Sequence, residues 1–128
     1  MDILVVGEAL LDIYCMAGGR PRRIDELGSL ERHIGGAPTN FAVGCQRAGL
    51  SVALVTRVGQ DPMGRHLLRL LADEGIDVSR IRSAANGQTG LSFVSVSEDG
   101  ERSFDFYGGR SADMLIEPAL LLIEVTAA

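Results

Sequence analysis

The stretch over residues 33–49, H-I-G-G-A-P-T-N-F-A-V-G-C-Q-R-A-G, constrains the fold more than any other part of the chain. Gly35 and Gly36 carry no Cβ, so the backbone can approach a ligand or another chain closely. Pro38 suits the first turn of a helix, where a missing N–H costs nothing. Phe41, Ala42, Cys45 and Ala48 follow at helical spacing and predict one apolar face. Gly49 is placed to end the helix. The turn thus presents free backbone N–H groups at a helix N-terminus, with the Asn40 amide one turn in, which makes a site for polar oxygens. The same residues also suit a tight turn that packs a small-residue helix onto a sheet.

On either side lie patterns of an α/β protein. Residues 3–6 are a short apolar run ending in Gly7 and predict a buried parallel strand. Glu8 and Asp12 lie just beyond, where the carboxyl ends of strands bind ligands in open α/β sheets. A carboxylate there can accept two hydroxyl hydrogen bonds, as a sugar diol would offer; a solvated turn residue is the plainer reading of Asp12. Residues 16–34 have no helical period and form an excursion, with a short strand expected near 30–33. Loops of that length are commonly functional, as lids are. Residues 52–58 predict a second central strand, completing a strand–helix–strand unit.

Asp61-Pro62 opens another helix as N-cap and first residue. Its expected buried stripe is Met63, Leu67, Leu70 and Leu71, with Arg69 and Asp73 as a solvent-facing pair and Gly75 as its stop. A third strand is expected over 76–82. Residues 91–96 and 103–107 predict two strands joined through the Asp99-Gly100 hairpin signal, and Gly108-Gly109 breaks the pattern. A last helix is expected from about Pro118.

Composition narrows the function. With 46% apolar and 23% charged residues the 128-residue chain is an ordinary globular domain. Its net charge of −5 argues against nucleic acid. The basic residues are all Arg, so a P-loop lysine is excluded. Cys15 and Cys45 lack metal spacing and read as reduced thiols of a cytoplasmic protein. His33 and His66 are isolated, so no zinc site is expected. The apolar N-terminus is interrupted by Asp2, Glu8 and Asp12 with no basic region before it, and no run approaches the ~20 apolar residues of a membrane span. Neither a signal peptide nor a membrane association is expected.

Taken together, G7-E8 followed by Asp12, G-G-A-P-T-N, V-G-Q-D-P-M-G, G-I-D and T89-G90 resemble the amino-terminal half of a ribokinase-type (PfkB) carbohydrate kinase, from Ile3 to about Asp113. The resemblance implies a ribokinase-like, doubly wound (Rossmann-like) α/β sheet with a small β-sheet lid. Residues 1–128 would then be the amino-terminal part of one kinase domain, with lid segments at about 13–34 and 90–110 and the carboxyl half missing. It implies that Asp12, Gly35, Gly36 and Asn40 hold sugar hydroxyls and that Phe106 and Tyr107 of the lid flank the sugar, or else form a homodimer interface through the lid sheet.

The run F-D-F-Y…S-A-D is similar to the fructokinase and 2-keto-3-deoxygluconate kinase branch, which commonly places Arg directly after the aromatic pair. Here that position is Gly108, so a neutral ketose such as fructose is preferred over a sugar acid unless Arg102 or Arg110 substitutes. The implied cofactors are ATP and Mg2+, bound mainly by the missing half. That half supplies a G-A-G-D motif carrying the catalytic base and an anion hole, and this sequence has no such motif. The chain is therefore expected to contribute sugar binding and a lid, with no catalytic, nucleotide or metal residue of its own, and to be inactive alone. The rival expectation is a catalytically inactive sugar-binding or dimerisation module.

Overall fold

A computed structural model describes residues 1–107 and 109–126. The strands are β1 (Ile3–Val6), β2 (Leu10–Ala17), β3 (Arg20–Arg22), β4 (Ser29–Gly35), β5 (Val52–Gly59), β6 (Ile81–Ala84), β7 (Gly90–Val96) and β8 (Arg102–Phe106). The helices are α1 (Ala37–Arg47), α2 (Pro62–Asp73) and α3 (Pro118–Thr126), with a 3-10 turn at Ala112–Leu115 before the last.

Two sheets result. A three-stranded parallel sheet has the order β1-β5-β6, with Ile3 opposite Val52 and Thr56 opposite Ile81. A five-stranded mixed sheet is built around β2, which carries β4 antiparallel on one edge and, on the other, β7 parallel along its first half and β3 antiparallel along its second. β8 extends this sheet as the antiparallel partner of β7. The core joins both sheets: Leu11 and Ile13 of β2 share one buried cluster with Val5, Leu54, Val58, Leu67, Leu71 and Ile76.

α1 begins where expected. Gly36 precedes it at φ +98°, Pro38 lies in its first turn, and Gly49 follows it at φ +94°. Its buried face differs from the predicted stripe: Thr39 and Ala42 are buried, whereas Phe41 is 59% exposed and Ala48 is exposed. The reason is a hydrogen bond. The Thr39 hydroxyl donates to the Glu8 carbonyl at 2.7 Å, so a polar residue takes the inward position satisfied and turns Phe41 outward.

Other elements depart from expectation for physical reasons. β1 is half-buried, with Val6 39% exposed, because it pairs with β5 alone. The third parallel strand starts at Ile81, since Asp77 makes only a single bridge to Ala53 before the chain turns. The excursion is three strands, beginning at Leu10. Asp12 therefore stands within β2 and not in a turn. Along α2, Gly64, Leu67 and Leu71 are buried. The described ion pairs do not include Arg69 with Asp73; Arg47 in the last turn of α1 pairs with Glu74 after α2 instead, Nε to Oε2 at 2.8 Å. The hairpin at Asp99-Gly100 and the helix from Pro118 form as expected.

Candidate functional site

The alternation of β2 sends Leu11, Ile13 and Cys15 into the interior and leaves Leu10, Asp12, Tyr14 and Met16 on the opposite face. On that face β4 adds Glu31 and His33, β7 adds Ser92, and β8 adds Arg102, Phe104 and Phe106. Glu8, Gly36, Ala37 and Asn40, from the β1–β2 connection and the start of α1, close the other wall. They enclose a cleft of about 580 Å³, a size suited to a small molecule.

Asp12 is the half-buried acid of this cleft. Burial raises its pKa above the ordinary value of 3.8; His33 and Arg102 draw it back, and Glu8 adds to the rise. Gly35 lies directly beneath it. A Cβ at Gly35 would sit 2.4 Å from Asp12 Oδ1, so this glycine gives the carboxylate its room. Gly36 allows a second close approach: a Cβ there would lie 2.8 Å from the Glu8 carbonyl oxygen.

The helix N-terminus is less open than expected. Ala37 N–H donates to Glu8 Oε1 at 3.4 Å, and Asn40 N–H donates to the Gly36 carbonyl at 2.8 Å. Those bonds leave the N–H groups of Gly36 and Thr39 as the donors of the first turn that they do not engage. His33 meets Tyr14 edge to face at 5.3 Å and the Glu31 carboxylate at 3.2 Å. This is an exposed pair worth little in stability.

The fold thus brings Asp12, Gly36, Asn40 and Phe106 to one cleft, with Gly35 under Asp12. Tyr107, expected beside Phe106, does not line it. Phe104 and Phe106 pair with Val94 and Ser92 on the cleft face, and the two-residue period of the strand turns Tyr107 to the other face, edge-on to Phe93 at 5.2 Å. Of the two arginines considered as cations, Arg102 is in the cleft, whereas Arg110 lies near Gln60, Asp61 and Gly87. The reading of Gly108 falls outside the described residues. Glu31, Tyr14 and Ser92 were not singled out in the sequence, and His33 was considered only as a metal ligand, because only the pairing of distant strands gathers them.

The V-G-Q-D-P-M-G and T-G motifs meet elsewhere, at the root of β7. Asp61 Oδ1 accepts from Gly64 N–H and from the Thr89 hydroxyl, both at 2.7 Å, and Oδ2 accepts from Thr89 N–H at 2.9 Å. Thr89 Oγ1 in turn accepts from Gly59 N–H at 3.0 Å. Burial works to raise the Asp61 pKa, but the bonds from Thr89 and Gly64 outweigh it and hold the carboxyl below 3.8. A Cβ at Gly64 would lie 2.2 Å from the Gly59 carbonyl oxygen. The motif is a clamp that ties the mixed sheet to α2 and β5.

Among the described residues no three His, Cys, Asp or Glu side chains come together to hold a metal ion. No described helix is long and apolar enough to cross a membrane.

A parallel α/β layer stands beside a mixed sheet, and a carboxylate, an amide and a glycine-opened helix start meet in one cleft. Comparison with known proteins sharpens this: a family described as pfkB family carbohydrate kinase matches residues 1–126, and the chain belongs to that family. It is 37% identical over 123 residues to a fructokinase of Oryza sativa subsp. japonica, covering 96% of this chain and 38% of that protein. It is 32% identical over 119 residues to a 5-dehydro-2-deoxygluconokinase of Geobacillus kaustophilus, covering 92% and 35%. Among solved structures, a fructokinase of Xylella fastidiosa with bound ATP superposes with a TM-score of 0.76 at 33% identity, covering 92% of this chain and 36% of that one. The fold is therefore that of the ribokinase-like sugar kinases, and the chain spans little more than a third of the length of these relatives.

Proposed function

We propose that this chain supplies the sugar-binding cleft and lid of an ATP-dependent sugar kinase. The observation that carries the reading is the half-buried Asp12 carboxylate, seated over Gly35 in a cleft with Gly36 and Asn40. An ionised carboxylate accepts two hydroxyl hydrogen bonds, and the Asn40 amide both donates and accepts. Phe104 and Phe106 offer apolar surface to a sugar ring. A sheet closed over the ligand excludes water, so that ATP is not hydrolysed in place of phosphorylating the sugar.

ATP is the proposed phosphoryl donor and Mg2+ its companion. The described residues do not fit that group, since they form no metal-ligand cluster and the sequence has no G-A-G-D segment. No step of the transfer is assigned to this chain, which is proposed to bind sugar without transferring phosphate, in the cytoplasm.

The proposed ligand is a neutral ketose such as fructose, since Gly108 stands where the related branch commonly has Arg. A sugar acid is a second reading, favoured by the place of Arg102 in the cleft. Exposed Tyr107 and the outer edges of β4 and β8 favour a different one, a dimerisation module. Calorimetric titration with D-fructose and with 2-keto-3-deoxygluconate, a coupled assay of ATP consumption and sedimentation equilibrium separate these. The expected result is saturable binding that Asp12→Asn abolishes, with no ATP consumed. A folded chain that binds neither ligand would sink the sugar-site reading, and self-association in its place would favour the module. ATP turnover would overturn the claim of inactivity.

A further inference from the structure

We propose that the Ser92 hydroxyl is a specificity-determining contact that reads one sugar hydroxyl next to those held by Asp12. The inference rests on the sugar-site reading of the cleft and goes one residue beyond it.

Ser92 occupies the middle of β7, with Asp12 as its Cα partner on β2 and Phe106 on β8. It is 1% exposed and belongs to the cleft floor. Its Oγ is buried with no hydrogen-bond partner. Two costs meet here. Serine fits a central strand less well than the β-branched and aromatic residues enriched there, such as its neighbours Phe93 and Val94. A buried hydroxyl without a partner also forfeits the hydrogen bonds it made with water. A position that breaks both local rules in the centre of a sheet is where a functional demand is expected.

The buried Thr56 hydroxyl also lacks a partner, so an unpaired group alone points to no ligand. Ser92 differs because it lines the cleft and stands opposite Asp12. Adjacent strands are ~4.8 Å apart, so side chains at paired positions on one face can reach neighbouring hydroxyls of the same ring. A hydroxyl that must be paired on binding discriminates against an analogue lacking its partner.

The test is calorimetric titration of the unsubstituted chain, Ser92→Ala and Asp12→Asn with D-fructose and its monodeoxy analogues, with thermal melts of each variant. The unsubstituted chain is expected to bind fructose and to lose about tenfold in affinity for the deoxy analogue that lacks the hydroxyl read by Ser92. Ser92→Ala is expected to weaken fructose by a similar factor, to bind that one analogue as the unsubstituted chain does, and to keep its discrimination against the others. Its melting temperature should hold or rise, because the change removes an unpaired group.

An unchanged affinity pattern in Ser92→Ala overturns the proposal and leaves the sugar-site reading intact. A lower melting temperature shows a structural partner for the hydroxyl and overturns it likewise. Binding of 2-keto-3-deoxygluconate but not fructose removes the Ser92 assignment alone. Binding of neither ligand by the folded chain removes both.

Discussion

Asp61 and Thr89, 28 residues apart, are joined by two hydrogen bonds: the Asp61 carboxylate accepts the Thr89 backbone N–H on one oxygen and the Thr89 hydroxyl on the other. The pair closes the N-terminus of α2 and fixes where the chain, having left the parallel layer after β6, enters β7 of the mixed sheet. Thr89→Val keeps the shape and the N–H but leaves Gly59 N–H and one Asp61 oxygen short of a partner. The expected loss is about 1–3 kcal/mol, read from urea unfolding; a change within ~0.5 kcal/mol, the range of a featureless surface site, would mean that the clamp does not hold the sheets together.

The same carboxylate sets an acid limit. Its folded pKa lies below 3.8, so its contribution is complete above the unfolded value and is lost as pH falls through the folded one. Asp61→Asn cannot accept on both sides and should flatten the stability profile below about pH 4, while lowering stability at neutral pH. Unfolding curves from pH 2 to 7 for both proteins check this, and parallel acid limbs would contradict it.

The two adjacent glycines do different work, and substitution separates them. Gly35 has ordinary extended backbone, and an added Cβ meets the movable end of Asp12. Gly36 is at φ +98°, and its Cβ would meet the fixed Glu8 carbonyl at 2.8 Å. Gly35→Ala should therefore fold with nearly unchanged stability but weaken sugar binding at least tenfold, by displacing the carboxylate. Gly36→Ala should cost about 1–3 kcal/mol in folding itself. Melting curves and fructose titrations of the two variants suffice, and equal losses of stability would contradict the distinction.

These contrasts show what could be read from residues alone. G-G-A-P-T-N and V-G-Q-D-P-M-G were legible because turns, caps and first helical residues are set by neighbours in sequence. Asp12, Gly36 and Asn40 were named together only through the family resemblance, since Asp12 reaches the glycine turn by the pairing of β2 with β4. β2 was not, because its cleft face carries Leu10, Tyr14 and Met16 beside Asp12, so the apolar–polar alternation that marks a strand is absent. Tyr107 was misplaced for want of a register, since one residue along a strand changes the face. Ser92 and Arg102 reach the cleft only through the pairing of β7 with β2 and of β8 with β7.

α3 turns one charged residue inward. Leu122, Ile123 and Val125 are exposed while Glu124 is buried, its carboxylate meeting Arg82 and Arg80, the latter at 3.5 Å. Arg80 also donates to the Glu124 carbonyl at 2.6 Å. Glu124→Ala would remove the carboxylate that both guanidinium groups meet and leave α3 the Arg80 bond to the residue-124 carbonyl and the half-buried Leu120 and Leu121. Hydrogen exchange should show the α3 amides losing at least tenfold in protection while those of β5 are unchanged. Retained protection in α3 would mean that its apolar side chains, not the ion pairs, dock it.

Asp12 should show the opposite balance of stability and function. Its folded pKa is raised, chiefly by burial, so its stabilising contribution is complete below the ordinary value of 3.8 and is lost as pH rises through the folded one. At neutral pH the ionised carboxylate is a cost to folding. Asp12→Asn removes that cost, so the variant should melt at the same temperature or higher at pH 7. It should still lose sugar binding, because an amide nitrogen cannot accept from a hydroxyl. In the unsubstituted chain fructose affinity should fall on acidification as Asp12 protonates, and this decline should begin at a higher pH than for an ordinary aspartate. Melts and titrations between pH 4 and 8 read both effects, and a variant that is less stable at pH 7 yet binds fructose normally would remove Asp12 from the site.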